Sequence, residues 1–171
     1  MRKPKGQHYM HAKDSIRQAY KISHMVLTAY VNDMTDENLL VRSVPGCNHV
    51  AWQLGHLISS ANGMLEGVGA QTIELPEGFA DKHNKETAGN DNAADFYSKS
   101  QYLQLLEQIK AATFAGLEQA SDESLDDDAP EYLQSIAKTV GDVYVLIACH
   151  PLMHAGQLVP LRRQLELPVV M

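Results

Sequence analysis

The sequence predicts an all-α fold, a four-helix bundle with a long irregular connection between its second and third long helices. Three observations carry this expectation. Four stretches show apolar residues at helical spacing. No convincing strand interrupts them, since Tyr144-Val145-Leu146-Ile147 has strand propensity but lies within flanks of helical period. Turn-forming residues separate the periodic stretches. At 171 residues the chain suits a single domain, residues 1–171, with a real core.

The first helix is expected from Asp14, a good N-cap, to about Asn32, with Ile16, Ala19, Tyr20, Ser23, Met25, Val26 and Tyr30 on its stripe. Thr35-Asp36-Glu37 can cap a short helix through Leu40, and Pro45-Gly46 marks a turn. The second helix begins near Asn48 or His49 and runs to about Glu66 on Val50, Leu54, Leu57, Ile58, Ala61 and Leu65. Residues 67–92 have little periodicity and read as a surface excursion with one helical turn. Such segments in compact domains are often lids or binding loops.

The third helix is expected from about Ala93 to Gln119, with Phe96, Leu103, Leu106, Ile109, Thr113, Phe114 and Leu117 buried. An acidic connection, Ser121 to Pro130, follows, then a short helix over Glu131 to Ala137. Thr139 caps the fourth helix, which runs to about Leu165 with Pro151 inside it. A proline there removes a hydrogen bond and bends the axis.

Composition excludes several function classes. The chain carries 14 Lys and Arg against 21 Asp and Glu, a net charge of −7. It lacks the basic footprint that phosphate backbones or anionic membrane surfaces attract, so neither a nucleic acid nor a membrane is an expected partner. The longest apolar run, Val143 to Cys149, is far shorter than a membrane span of about 20 residues. The basic start, Met1 to Gly6, lacks the apolar stretch of a secretory signal. Two cysteines, Cys47 and Cys149, make no disulfide framework or CxxC site. The expected compartment is the cytoplasm, with both thiols reduced.

The histidines carry the chemistry. His150 and His154 lie one helical turn apart on one face, where two imidazoles can share one metal ion. Pro151 occupies the position where a zinc-protease helix carries its general-base Glu, so that class is excluded. An HxxxH pair alone is weak evidence. Here Pro151 bends the helix inside the pair, Gly156 leaves room beside it, and Leu146, Ile147, Leu158 and Leu161 turn both imidazoles inward. A buried pair needs polar partners, and a cation is an economical one. His56, in the apolar setting Ala51-Trp52-Gln53-Leu54-Gly55-His56-Leu57, is the best third ligand. His8 and His11 are terminal, His83 is in the long connection, and His24 reads as an ordinary surface or core-edge residue.

At these residues the sequence resembles the DinB/YfiT-like superfamily of metalloenzymes. The resemblance rests on Gly46-Cys47-Asn48-His49-Val50-Ala51-Trp52-Gln53-Leu54-Gly55-His56, Thr139-Val140-Gly141-Asp142, His150-Pro151-Leu152-Met153-His154-Ala155-Gly156-Gln157-Leu158 and Leu161-Arg162-Arg163-Gln164-Leu165. It implies an up-down-down-up bundle, often a homodimer. It also implies one divalent ion, zinc or nickel, on His56, His150 and His154. Some members are S-transferases using a low-molecular-weight thiol, and others are hydrolase-like.

Other residues have candidate roles. His49, two turns before His56, is a candidate general base or a water-facing histidine at the helix start. Trp52 walls the pocket or packs in the core. Gln157 can orient a ligand or bound water, or face a loop. Cys149 is expected as a small buried thiol. Arg162 and Arg163 can bind a substrate carboxylate or complement the helix C-terminus. Three histidines leave coordination positions open, which favours a metal-dependent transferase or hydrolase acting on a small molecule. The alternative is a non-catalytic, metal-containing binding or stress-response module.

Overall fold

The computed structural model describes residues 10–169, so the basic segment Met1–Gly6 and His8 lie outside it. Four long helices form the bundle: α1 (Ala12–Val31), α2 (Val50–Gly67), α4 (Lys99–Gln119) and α5 (Val140–Gln164). A single-turn helix, α3 (Phe79–Lys82), lies in the connection between α2 and α4. Among the described residues there is no strand, only an isolated bridge between Asp128 and Thr139.

Side-chain contacts fix the helix directions. Lys13 and Arg17, at the start of α1, bond to Ala120 and Glu118 at the end of α4. Lys99, at the start of α4, reaches the carbonyls of Asn32 and Met34 beyond the end of α1. These two helices are therefore antiparallel. Ser23 bonds to Ala148, and Tyr30 to Arg162 one end further along, so α1 and α5 are parallel. Gln53 meets His154, while Gly63 meets Tyr132 just before α5, so α2 opposes α5. The result is an up-down-down-up bundle in which α1 packs most extensively along α5.

The helix starts follow local chemistry. α1 begins two residues before Asp14; Asp14 sits in its first turn and accepts the His11 amide. Met25, expected on the buried stripe, is 52% exposed, and Leu27 takes the core position. α4 begins at Lys99, not Ala93. Ser98 accepts the Gln101 amide while Gln101 bonds back to the Ser98 amide, a reciprocal cap that fixes the start. Residues 93–95 form a separate 3-10 turn, and Phe96 packs edge-on against His49.

α5 is long and apolar enough by length and composition to cross a membrane. In the bundle those apolar residues, including Val143, Ile147, Leu158 and Leu161, form core contacts. The helix contains two prolines, Pro151 and Pro160. Its end is locked by Arg162, which is fully buried. Arg162 grips Asp33 with both terminal nitrogens at 2.6 and 2.7 Å, donates to Pro168 at 2.7 Å and lies over the Tyr30 ring.

The connection after α2 is anchored along its length. Asn62 pairs with both backbone groups of Ile73. His83 is buried against α2. Trp52 donates to the Asn84 carbonyl at 3.1 Å. Arg42 bonds to Ala88, Asn90 and Asp91. The segment is therefore a fixed wall beside α2.

Candidate metal centre

α2 and α5 run in opposite directions, so residues one turn apart on each helix meet in reversed order. His56 faces His150, and Gln53 faces His154. The ring centroids of His56 lie 5.2 Å from His150 and 5.5 Å from His154, and those two rings are 4.8 Å apart. One nitrogen from each ring falls in a set lying within 4.8 Å of one another. Among the described residues this is the one group of three or more His, Cys, Asp or Glu with such spacing.

Gln53, which is 4% exposed, sets the proton on His154. Its amide nitrogen donates to the Asn48 carbonyl at 2.7 Å, which turns its oxygen toward His154 Nδ1 at 2.9 Å. His154 therefore carries its proton on Nδ1 and presents an unprotonated Nε2. That atom lies 3.1 Å from His150 Nε2. Nitrogens bound to one ion at about 2.0–2.1 Å sit ~2.9 Å apart along an octahedral edge and ~3.3 Å apart along a tetrahedral one. The observed separation fits between these values.

His56 is held by its own helix. Trp52, one turn earlier, stacks on it at 5.0 Å with the planes 5° apart, and Ser60 Oγ lies 3.4 Å from its Nδ1. Burial pushes all three imidazoles below their ordinary pKa, His150 to about 4 and His154 to about 3; the neighbouring rings add to the effect at those two, and Lys85 at His56. Three neutral nitrogen donors without a carboxylate suit a borderline-soft divalent cation at neutral pH.

Two clefts flank the triad. One, about 440 Å³, opens between α2 and α5 and is lined mostly by apolar side chains, with His56 and His150 on its wall. The other, about 360 Å³, shares His56, Ser59 and Ser60 and lies against Asn84, Lys85 and Glu86.

Several expected roles change. His49 is neither water-facing nor free to act as a base. It is wholly buried, its Nδ1 accepts the Trp52 amide at 3.1 Å, and its Nε2–H donates to the Asn90 carbonyl at 3.0 Å. It caps α2 and ties down the connection. Gln157 is exposed, and the polar contact to the triad comes from Gln53 instead. Trp52 walls the site by stacking on His56. Cys149 is exposed because it lies about 100° around the helix from His150, on the outer face of α5. Arg162 is occupied by Asp33, so it offers nothing to a substrate. His24 is buried, with Nε2 3.4 Å from Glu107, and lies outside the cluster.

Two residues escaped the sequence reading. Gln53 stands three positions before His56, a same-face spacing that could have marked it as a partner. His83 is 1% exposed, its Nδ1–H donating to the Phe79 carbonyl at 2.7 Å and its Nε2 accepting the Tyr102 hydroxyl at 2.8 Å. Its ring occupies the space above Gly55, where a Cβ would come within 2.0 Å. The glycine before His56 thus admits the wall of the site.

An up-down-down-up helical bundle with three histidines converging from α2 and α5 defines the class of this protein. The sequence profile of the DinB superfamily matches residues 19–158, and the chain belongs to that family. Among solved structures, a conserved protein from Enterococcus faecalis is similar at 19% identity, covering 91% of this chain and 97% of its own, with a TM-score of 0.65. YfiT from Bacillus subtilis, described as a probable metal-dependent hydrolase with an unusual four-helix bundle topology, is similar at 20% identity. That match covers 98% of this chain and 95% of YfiT, with a TM-score of 0.63. No curated protein matches the chain significantly.

Proposed function

We propose that this protein is a divalent-metal-dependent enzyme acting on a small molecule, with His56, His150 and His154 as its metal ligands. The observation that carries the reading is the convergence of three neutral imidazoles, with His56 on the wall of two clefts and His150 on the wall of one. Three protein donors leave positions open toward those clefts, as in catalytic sites. An ion held there supplies the Lewis acidity that makes a nucleophile of water or a thiol at neutral pH.

The chain's own groups divide the remaining work. Gln53 holds His154 in the tautomer that presents Nε2. Trp52 and Ser60 fix the plane of His56. No carboxylate lines the apolar cleft, so a bound ion would supply the acidity there and solvent would take the proton. Lys85 in the second cleft offers a cation for an anionic, low-molecular-weight thiol, which favours the S-transferase reading. The likeness to YfiT favours the hydrolase reading.

Metal analysis of the purified protein and of His154→Ala tests the site, with zinc and nickel the expected ions. Sharp loss of metal in the variant is expected, and full retention rejects the triad. Cobalt-substituted protein should show open coordination positions spectroscopically; a closed site would make this a non-catalytic metal module. Turnover that requires added thiol identifies a transferase, and thiol-independent ester or amide cleavage a hydrolase.

A further inference from the structure

The 440 Å³ cleft has the size of small-molecule sites, which run from about 300 to 1,000 Å³. Beyond the two histidines its walls are Met64, Leu133, Leu146 and Met153, and no charged side chain lines it. Its two serines offer little polarity: Ser59 donates to the Gly55 carbonyl at 2.9 Å, and Ser60 is directed at His56. Two further lining residues, Tyr132 and Ile136, are 65% and 68% exposed. Water therefore covers hydrocarbon that an apolar ligand would shield. The Tyr132 hydroxyl donates to the Gly63 carbonyl at 3.1 Å and holds this turn over α2.

Gly63 is a second, independent pointer. Glycine weakens a helix interior, and at Gly55 and Gly67 close neighbours account for it: a Cβ would strike His83 and Tyr132 respectively. At Gly63 a Cβ would meet nothing within 4 Å. The residue lines the cleft, and the missing side chain is space left open there.

We infer that this cleft takes the apolar body of the substrate, an uncharged alkyl or aryl group, and delivers the attached polar, reacting end to the histidine triad. The reacting end rests on the proposed metal site, whereas the apolar cleft is independent of it. The absence of a cation excludes an anionic tail from this side. Charged portions belong in the second cleft, beside Lys85 and Glu86.

The test uses zinc-loaded, full-length protein and hydroxamic acids of increasing chain length, from acetohydroxamic to octanohydroxamic acid, titrated calorimetrically. The Kd should fall about fourfold per added methylene. Gly63→Leu, which fills the cleft, and Ile136→Asp, on an exposed turn, should each flatten that dependence. A Kd independent of chain length, or a dependence unaltered in both variants, overturns the inference. Metal-free protein carrying labelled methionine methyl groups separates the two readings. Octan-1-ol should shift the resonances of Met64 and Met153 and leave Met25 unmoved. Those shifts in a protein that binds no zinc would sink the triad and keep the cleft; zinc binding without them would do the reverse.

Discussion

The side-chain oxygen of Gln53 lies 2.9 Å from His154 Nδ1, and the Asn48 carbonyl holds it in that orientation. A residue that touches no open coordination position thereby decides which nitrogen of His154 faces the cluster. Removing such a partner commonly weakens metal affinity about 10–100-fold. Gln53→Ala should show that loss in competition with a chromophoric chelator. Gln53→Glu keeps an acceptor and should restore most of the affinity. Equal affinity in Gln53→Ala and the parent protein would refute the positioning role.

Gly55→Ala is expected to be among the most damaging small substitutions in the chain. Its Cβ would lie 2.0–2.3 Å from three atoms of the His83 ring, which is itself bonded at both nitrogens. Overpacking of this kind costs about 1–3 kcal/mol, readable as a lowered midpoint in urea. Combining it with His83→Ala should recover part of the loss, because the clashing ring is gone. Strict additivity of the two changes would show that they do not meet.

Acid should destabilise the metal-free protein well above the carboxylate range. Burial lowers His83 to about 4, against an ordinary value of about 6.5. The unfolded chain then binds more protons than the folded one between those values. His83's contribution is complete above pH 6.5 and is lost as pH falls toward 4. At pH 5 the loss from His83 alone is on the order of 2 kcal/mol. Chelator-treated protein unfolded in urea at pH 7.5 and pH 5 should show it, and His83→Asn should flatten the slope.

A gain in stability is expected at the end of α5. Glu166 is the one non-glycine residue among those described with a left-handed backbone, at φ 57°. The Leu167 and Glu166 amides close back onto the Arg162 and Arg163 carbonyls, the pattern in which glycine is favoured. Glu166→Gly should raise stability by about 1 kcal/mol, seen as a higher thermal midpoint with unchanged metal content.

The bundle was legible in the sequence because it rests on local periodicity, and the histidine triad because the spacing of His150 and His154 was joined by the apolar setting of His56 and the family pattern around both segments. Val50, Leu54 and Leu57 mark α2, and the four-residue spacing of His150 and His154 is a property of any helix. The third helix was expected from Ala93, and the Ser98–Gln101 cap instead fixes the start of α4 at Lys99. What stayed hidden depends on contacts between distant segments. Nothing near His83 in sequence announces that it will sit on Gly55, and nothing near His49 shows that Asn90 will cover it. Cys149, expected as a small buried thiol, lies exposed on α5.

The packing of His83 also bears on how molecules come and go. With both ring nitrogens bonded and its ring pressed on Gly55, the connection on that side cannot swing away without stripping α2 of its cover. The second cleft therefore keeps a rigid edge, whereas the apolar cleft is edged by the exposed turn carrying Tyr132 and Ile136. The triad thus has two mouths, one walled by a buried histidine and one rimmed by exposed side chains.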